Sequence, residues 1–169
     1  SLGLSKNDWV WTSPISFVAS SNCALYCGAK IDFVDIDLST YNISILNLAK
    51  KLETAKKENK LPKIIIVVHM AGLSCDMINI KKLSKIYNFK IIEDASHAIG
   101  GIYKNFKVGS CKYSDVTVFS FHPVKIITTA EGGMIVTNSK KIYSNAKSYH
   151  SHGITRDKKK FLKKSNDLW

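Results

Sequence analysis

The chain has 169 residues, 45% of them hydrophobic, and a formal net charge of +12. That is enough for one domain with a buried core, while no apolar run approaches the roughly 18 residues needed to span a bilayer. The basic excess raises a polyanion-binding reading, but only one of the 25 basic residues is an arginine, Arg156, and arginine is the side chain that pairs bidentately with phosphate and reads guanine.

A non-enzymatic domain that binds nucleic acid would therefore rest on lysines alone. Lys50, Lys51, Lys56, Lys57 and Lys60 are spread over a helix face, and Lys158, Lys159, Lys160, Lys163 and Lys164 form a charge run of the solvated kind. The start lacks the basic-then-apolar pattern of a secretory leader, so a cytoplasmic protein is expected. The chain opens on Ser1 and closes on Trp169 after that charged run, as a piece of a longer protein would.

In chain order, strand and helix signals alternate. Trp9 to Thr12 is a short apolar run closed by Ser13-Pro14, and Phe17 to Tyr26 has the small and apolar residues of a packed helix. Ile31 to Ile36 alternates apolar and acidic residues with period two, which predicts a strand. From Ser44, a capping residue, Ile45, Leu48, Ala49, Leu52 and Ala55 recur at helical steps, and this helix is expected to end near Leu61-Pro62. Lys63 to His69 has no polar face, as expected of a strand inside a parallel sheet covered on both sides. A helix carrying Ile80, Leu83, Ile86 and Tyr87 follows, then a strand from Lys90 to Glu93. The order βαβαβ predicts an α/β fold with right-handed crossovers.

Val116 to Phe121 is a further buried strand, and it stops at His122-Pro123, since proline has no N–H for the ladder. Gly132-Gly133 turns the chain into a short strand, Met134 to Thr137. Lys125 lies in the intervening loop, flanked by Val124, Ile126 and Ile127. A lysine in apolar surroundings can serve as a nucleophile toward carbonyls, whereas a solvated one is inert. Ligands of open α/β sheets bind outside the carboxyl ends of the strands, where Asp94, His97, Ser120 and Lys125 can converge. Asp94 also suits a plain capping role in the turn after its strand. Together a carboxylate, an imidazole, a hydroxyl and a lysine make a coherent set for pyridoxal phosphate, with the lysine as Schiff-base partner and the carboxylate keeping the pyridine nitrogen protonated. No glycine-rich nucleotide fingerprint occurs. Cys23, Cys27, Cys75 and Cys111 do not have metal-site spacing, so reduced and mostly buried thiols are expected, and His150-x-His152 lacks a third ligand. No metal centre is expected.

Six stretches resemble, in order and spacing, the sugar-nucleotide aminotransferases of the DegT/DnrJ/StrS group. They are Trp11 to Ser20, Phe33 to Ile36, Glu93 to Ala98, Ser120 to Lys125, Thr128 to Gly133 and Ser151 to Gly153. The form SFHPVK-x-ITTAEGG and the opening TSPISFVAS look most like the branch that aminates a UDP-linked 4-keto-6-deoxy-N-acetylhexosamine on the way to pseudaminic-type sugars. The resemblance implies a three-layer, mainly parallel α/β sheet forming part of the large domain of a fold type I pyridoxal-phosphate enzyme over residues 1–169. It implies a homodimer with sites at the interface, and a keto-sugar nucleotide and L-glutamate as reactants.

Residue by residue, it gives Lys125 the Schiff base and the proton shuttle, Asp94 the pyridine nitrogen, His97 a place near the phenolic oxygen, Ser120 the phosphate and Phe17 the ring face. Phe17 as plain core is the alternative. Relatives that dehydrate with the same cofactor carry histidine in place of the lysine. The family pattern also puts a phosphate-gripping helix start before Ser1, and an asparagine-containing loop and a small domain after Trp169.

Overall fold

The computed structural model describes residues 1–155 and 157; the lysine run from Lys158 and Arg156 lie outside the described residues. Six strands form one sheet: β1 (Trp9–Thr12), β2 (Lys30–Phe33), β3 (Ile64–Val68), β4 (Lys90–Asp94), β7 (Val116–Ser120) and β8 (Gly133–Val136), in the order β2-β1-β3-β4-β7-β8. The first five are parallel and β8 runs antiparallel to β7. A two-residue hairpin, β5 (Ile102–Tyr103) and β6 (Phe106–Lys107), stands apart between β4 and β7.

Strand periodicity sorts the core into two faces. Trp11, Ile65, Val67 and Ile91 point to the face covered by α2 (Ile45–Lys57) and α3 (Met77–Tyr87), where Leu48, Leu52, Met77 and Ile80 are sealed from solvent. Each such side chain contributes roughly 1.5–3 kcal/mol through burial. Val10, Ile64 and Ile66 face the other way, against Ala24 of α1 (Ala19–Tyr26) and the partly buried Leu2 and Leu4. All five residues of β3 are buried, as its unbroken apolar run requires of a central strand.

The helix ends follow from capping chemistry. Ser44 accepts the Asn47 N–H at 3.3 Å and Asp76 accepts the Asn79 N–H at 3.3 Å, each satisfying an orphan donor of the first turn. Helix α2 stops at Lys57, earlier than Leu61-Pro62, because the chain turns through Asn59 at φ 54°. Asn88, at φ 58°, closes α3 in the left-handed conformation that asparagine tolerates.

Two further sequence expectations are corrected. The segment from Phe17 to Tyr26 is not a packed helix: it buries only Ser20 and Ala24, while Phe17, Val18, Leu25 and Tyr26 are exposed. Ile86 also faces solvent, since α3 docks through Met77, Ile80 and Ser84. Of the thiols, Cys75 and Cys111 are buried but Cys23 and Cys27 are exposed. The last helix, α4 (Lys140–His150), is capped by Ser139 and buries none of its residues. Among the described residues, no helix is long and apolar enough to cross a membrane.

Candidate active site

Asp94 is the last residue of β4 and pairs in register with Val118 of β7, so period-two alternation puts Ser120, two residues on, over the same face of the sheet. Both ends of the Asp94 carboxylate are held. Oδ1 accepts from the Ser96 N–H at 3.1 Å and the Ser96 hydroxyl at 2.6 Å, which is the capping turn. Oδ2 accepts from the Ser20 hydroxyl at 2.5 Å, across 74 residues of sequence, and Ser20 in turn accepts from Ser16 at 3.2 Å. Ser20 is buried and carried no distinguishing signal in the sequence; a hydroxyl among small residues of a short helix reads as packing. The capping role is therefore present, and it leaves Oδ2 fixed by a residue from the loop and helix that follow β1.

Lys125 and His97 meet at the same end of the sheet, with Nζ 3.1 Å from the imidazole Nε2. The loop that carries Lys125 is closed by its own backbone. Phe121 donates to the Gly132 carbonyl at 2.9 Å and accepts from the Thr129 N–H and the Thr128 hydroxyl, both at 3.0 Å. A Cβ on Gly132 would strike the Thr129 hydroxyl, and one on Gly133 would come within 3.0 Å of the Phe119 carbonyl. The run Thr128 to Gly133 is thus a turn in which small residues let the chain fold back on the end of β7.

The expected apolar enclosure of Lys125 is not made by its own loop. Val124, Ile126 and Ile127 are all exposed, 78% in the case of Val124, because the tight turn aims them outward. Ser120 is half-buried, its hydroxyl 3.5 Å from the His122 N–H. Phe17 is 75% exposed and takes no part in the core of this segment. It lies one turn before Ser20, whose N–H it accepts at 3.1 Å, and so sits beside the residue that holds Asp94.

A buried polar cluster lies on the opposite face of the same strands. The Glu93 carboxylate accepts from Ser114 and, at 3.0 Å, from Thr117, and its other oxygen is 2.8 Å from His69 Nε2. Burial pushes the Glu93 carboxyl up, but the bonds from His69, Ser114 and Thr117 outweigh it and leave the group below the ordinary glutamate range. Burial pushes the neighbouring Cys75 thiol up to about 12, so this cysteine is an inert core group. Among the described residues no cluster of three or more His, Cys, Asp or Glu side chains could hold a metal ion.

Taken together, these features define an α/β domain with an amine, an imidazole and a tethered carboxylate at the carboxyl edge of a largely parallel sheet. The sequence model of the DegT/DnrJ/EryC1/StrS aminotransferase family matches residues 1–166, and the chain belongs to that family. It is 45% identical over 152 residues to a UDP-4-amino-4,6-dideoxy-N-acetyl-beta-L-altrosamine transaminase of Campylobacter jejuni, covering 89% of this chain and 39% of the relative. It is 39% identical to the GDP-perosamine synthase of Escherichia coli O157:H7, over 90% of this chain and 40% of that one. Among solved structures, Helicobacter pylori PseC, an aminotransferase in pseudoaminic acid biosynthesis, superposes with a TM-score of 0.80 at 38% identity, over 90% of this chain and 38% of its own. The chain spans about two fifths of the length of the relatives it matches.

Proposed function

We propose that the protein containing this chain is a pyridoxal-phosphate-dependent aminotransferase that converts a keto-sugar nucleotide to the amino sugar, with L-glutamate as donor. A UDP-linked 4-keto-6-deoxy-N-acetylhexosamine is the acceptor favoured by the likeness to altrosamine transaminases. The observation that carries the reading is the meeting of Lys125 and His97 at the same sheet edge as a carboxylate held from both sides. Residues 1–169 are then part of the large, cofactor-binding domain of a cytoplasmic enzyme.

The residues fit the cofactor by their donor chemistry. The Lys125 amine makes no ion pair with a carboxylate among the described residues, so it is open to a carbonyl carbon. The Asp94 carboxylate is aligned by hydroxyls rather than neutralised by a cation, which leaves its charge for a protonated ring nitrogen. Exposed Phe17, one turn before the Ser20 that holds Asp94, offers a flat apolar surface. When bound, pyridoxal phosphate supplies an electron sink for the carbanion formed on deprotonation next to the amino nitrogen.

In this reading Lys125 Nζ would hold the cofactor through its carbonyl carbon and, when free, would move a proton as general base and acid. His97 orients that amine through Nε2 and would serve the cofactor's phenolic oxygen. Asp94 would hold a proton on the ring nitrogen, Ser20 fixes the carboxylate that would do so, and Ser120 would donate to the phosphate. A buried dianionic phosphate needs more donors than one hydroxyl, since an uncompensated charge costs several kcal/mol. We place the remaining donors in chain outside this segment and in a second subunit, which makes the enzyme a homodimer with sites at the interface. Full-length protein treated with pyridoxal phosphate and borohydride should carry the pyridoxyl group on Lys125 in a peptide map, and should aminate members of a keto-sugar nucleotide panel. A modified lysine elsewhere would overturn the assignment.

A further inference from the structure

The polar cluster buried beneath the site takes no part in the chemistry just described, yet it is tied to the same strand ends. His69 uses three groups at once. Its backbone N–H donates to the Asp94 carbonyl at 3.1 Å, its Nδ1 accepts from the Cys75 N–H at 3.1 Å, and its Nε2 faces Glu93 at 2.8 Å. An amide can only donate, so Nδ1 carries no proton and the ring is the neutral tautomer whose Nε2–H donates to the carboxylate. Glu93 also takes the hydroxyls of Thr117, on β7, and Ser114, just before it. One carboxylate thereby joins the carboxyl ends of β3 and β4, the latter presenting Asp94, to the start of β7.

The same histidine shapes the loop that follows it. The Cys75 bond closes the segment from His69 to Cys75, and Asn42 braces it by accepting from the Met70 N–H at 3.0 Å and donating to the Leu73 carbonyl at 2.9 Å. Inside this loop Gly72 has φ +89°, and a Cβ there would lie 2.7 Å from the His97 carbonyl oxygen. The loop backbone therefore rests directly on the backbone of His97, and only glycine permits that approach.

We infer that His69 and Glu93 are positioning residues: from the face of the sheet opposite the Asp94 side chain, they fix the strand end that presents Asp94 and the loop contact that places His97. The inference rests on the cofactor reading above. Neither residue touches cofactor or substrate; they act through backbone geometry that a local substitution can loosen without removing any group from the site.

The test uses the full-length protein with Glu93→Gln and Gly72→Ala, and reads pyridoxal phosphate affinity, the visible absorbance maximum at saturating cofactor, and the thermal midpoint without cofactor. Glu93→Gln should bind about tenfold more weakly, the worth of roughly one oriented hydrogen bond, and should displace the absorbance maximum even when saturated. Gly72→Ala removes no hydrogen-bonding side chain of the cluster but forces the loop off the His97 backbone, and should shift affinity and absorbance in the same direction, so it carries the test if Glu93→Gln does not fold. Variants that lose thermal stability but keep the parent's affinity and absorbance would show a merely structural cluster and overturn the inference. Asp94→Asn is the control. Parent-like affinity and absorbance in that variant would instead overturn the cofactor reading on which the inference stands.

Discussion

The two halves of this sheet are built to different standards. On the α2 and α3 face, Leu48, Leu52, Ile65, Ile80 and Ile91 are fully sealed, and the cluster extends without a break from Trp11 to Phe89. At the other end, the Lys125 loop, β8 and α4 expose Val124, Ile126, Ile127, Met134, Ile135, Tyr143 and Tyr149. The first half is a closed apolar core built from residues of this chain. The second bears the lysine and is an apolar surface of the kind that marks contact with further protein. In the proposed enzyme, the chemistry would stand on the open half, where additional chain and a second subunit would close over it.

The strongest way to break this comparison is at the lysine. Lys125→Ala in the full-length protein should lower transamination by roughly 10²–10⁴-fold or more, the range that a positioned acid–base group supplies, while leaving the thermal midpoint of the cofactor-free protein close to the parent's. A steady-state assay with glutamate checks the first part, and an unaltered rate would remove Lys125 from the chemistry. On the finished half, Leu52→Ala should cost about 2–5 kcal/mol in a denaturant titration, because α2 and the sheet cannot collapse onto the space left behind. A loss below about 1 kcal/mol would mean that this face is not the core.

The buried Glu93 sharpens the comparison through pH. Its folded-state pKa lies below the unfolded value of 4.5, so the stability it contributes is fully present above that value and is lost as pH falls through the folded one. Unfolding midpoints should therefore decline on acidification below pH 4.5, and Glu93→Gln should flatten that decline. Asp8, Asp37 and Asp76 are also lowered and act with the same sign, so the variant should leave part of the slope in place. An acid limb as steep as the parent's would deny Glu93 its role. The smallest effect belongs to the open half. Ile126→Ser should change the thermal midpoint of this chain on its own by the equivalent of about 0.5 kcal/mol or less. A loss comparable to Leu52→Ala would show that the lysine loop is packed after all.

The sequence by itself determined the βαβαβ order, the central place of β3 and the cap at Ser44, because these depend on local periodicity and on donors within one helical turn. It also marked Asp94 and Ser120 as residues at strand ends and Lys125 as a residue of the loop beyond, since a proline or a change from apolar to polar residues closes each strand. Only the tertiary structure decided what those ends touch. The Ser20 hydroxyl reaches Asp94 from 74 residues away, and His97 meets Lys125 across 28. Neither pairing has a periodic signature, because it arises from parallel strands stacking side by side with their crossovers between them. The exposure of Phe17 and of the residues flanking Lys125 was likewise hidden, for an apolar side chain reads the same whether it enters this chain's core or waits for another surface. Glu93 and His69 show the same limit from within: their types are visible in sequence, but the bond between them exists only because β3 and β4 lie in register.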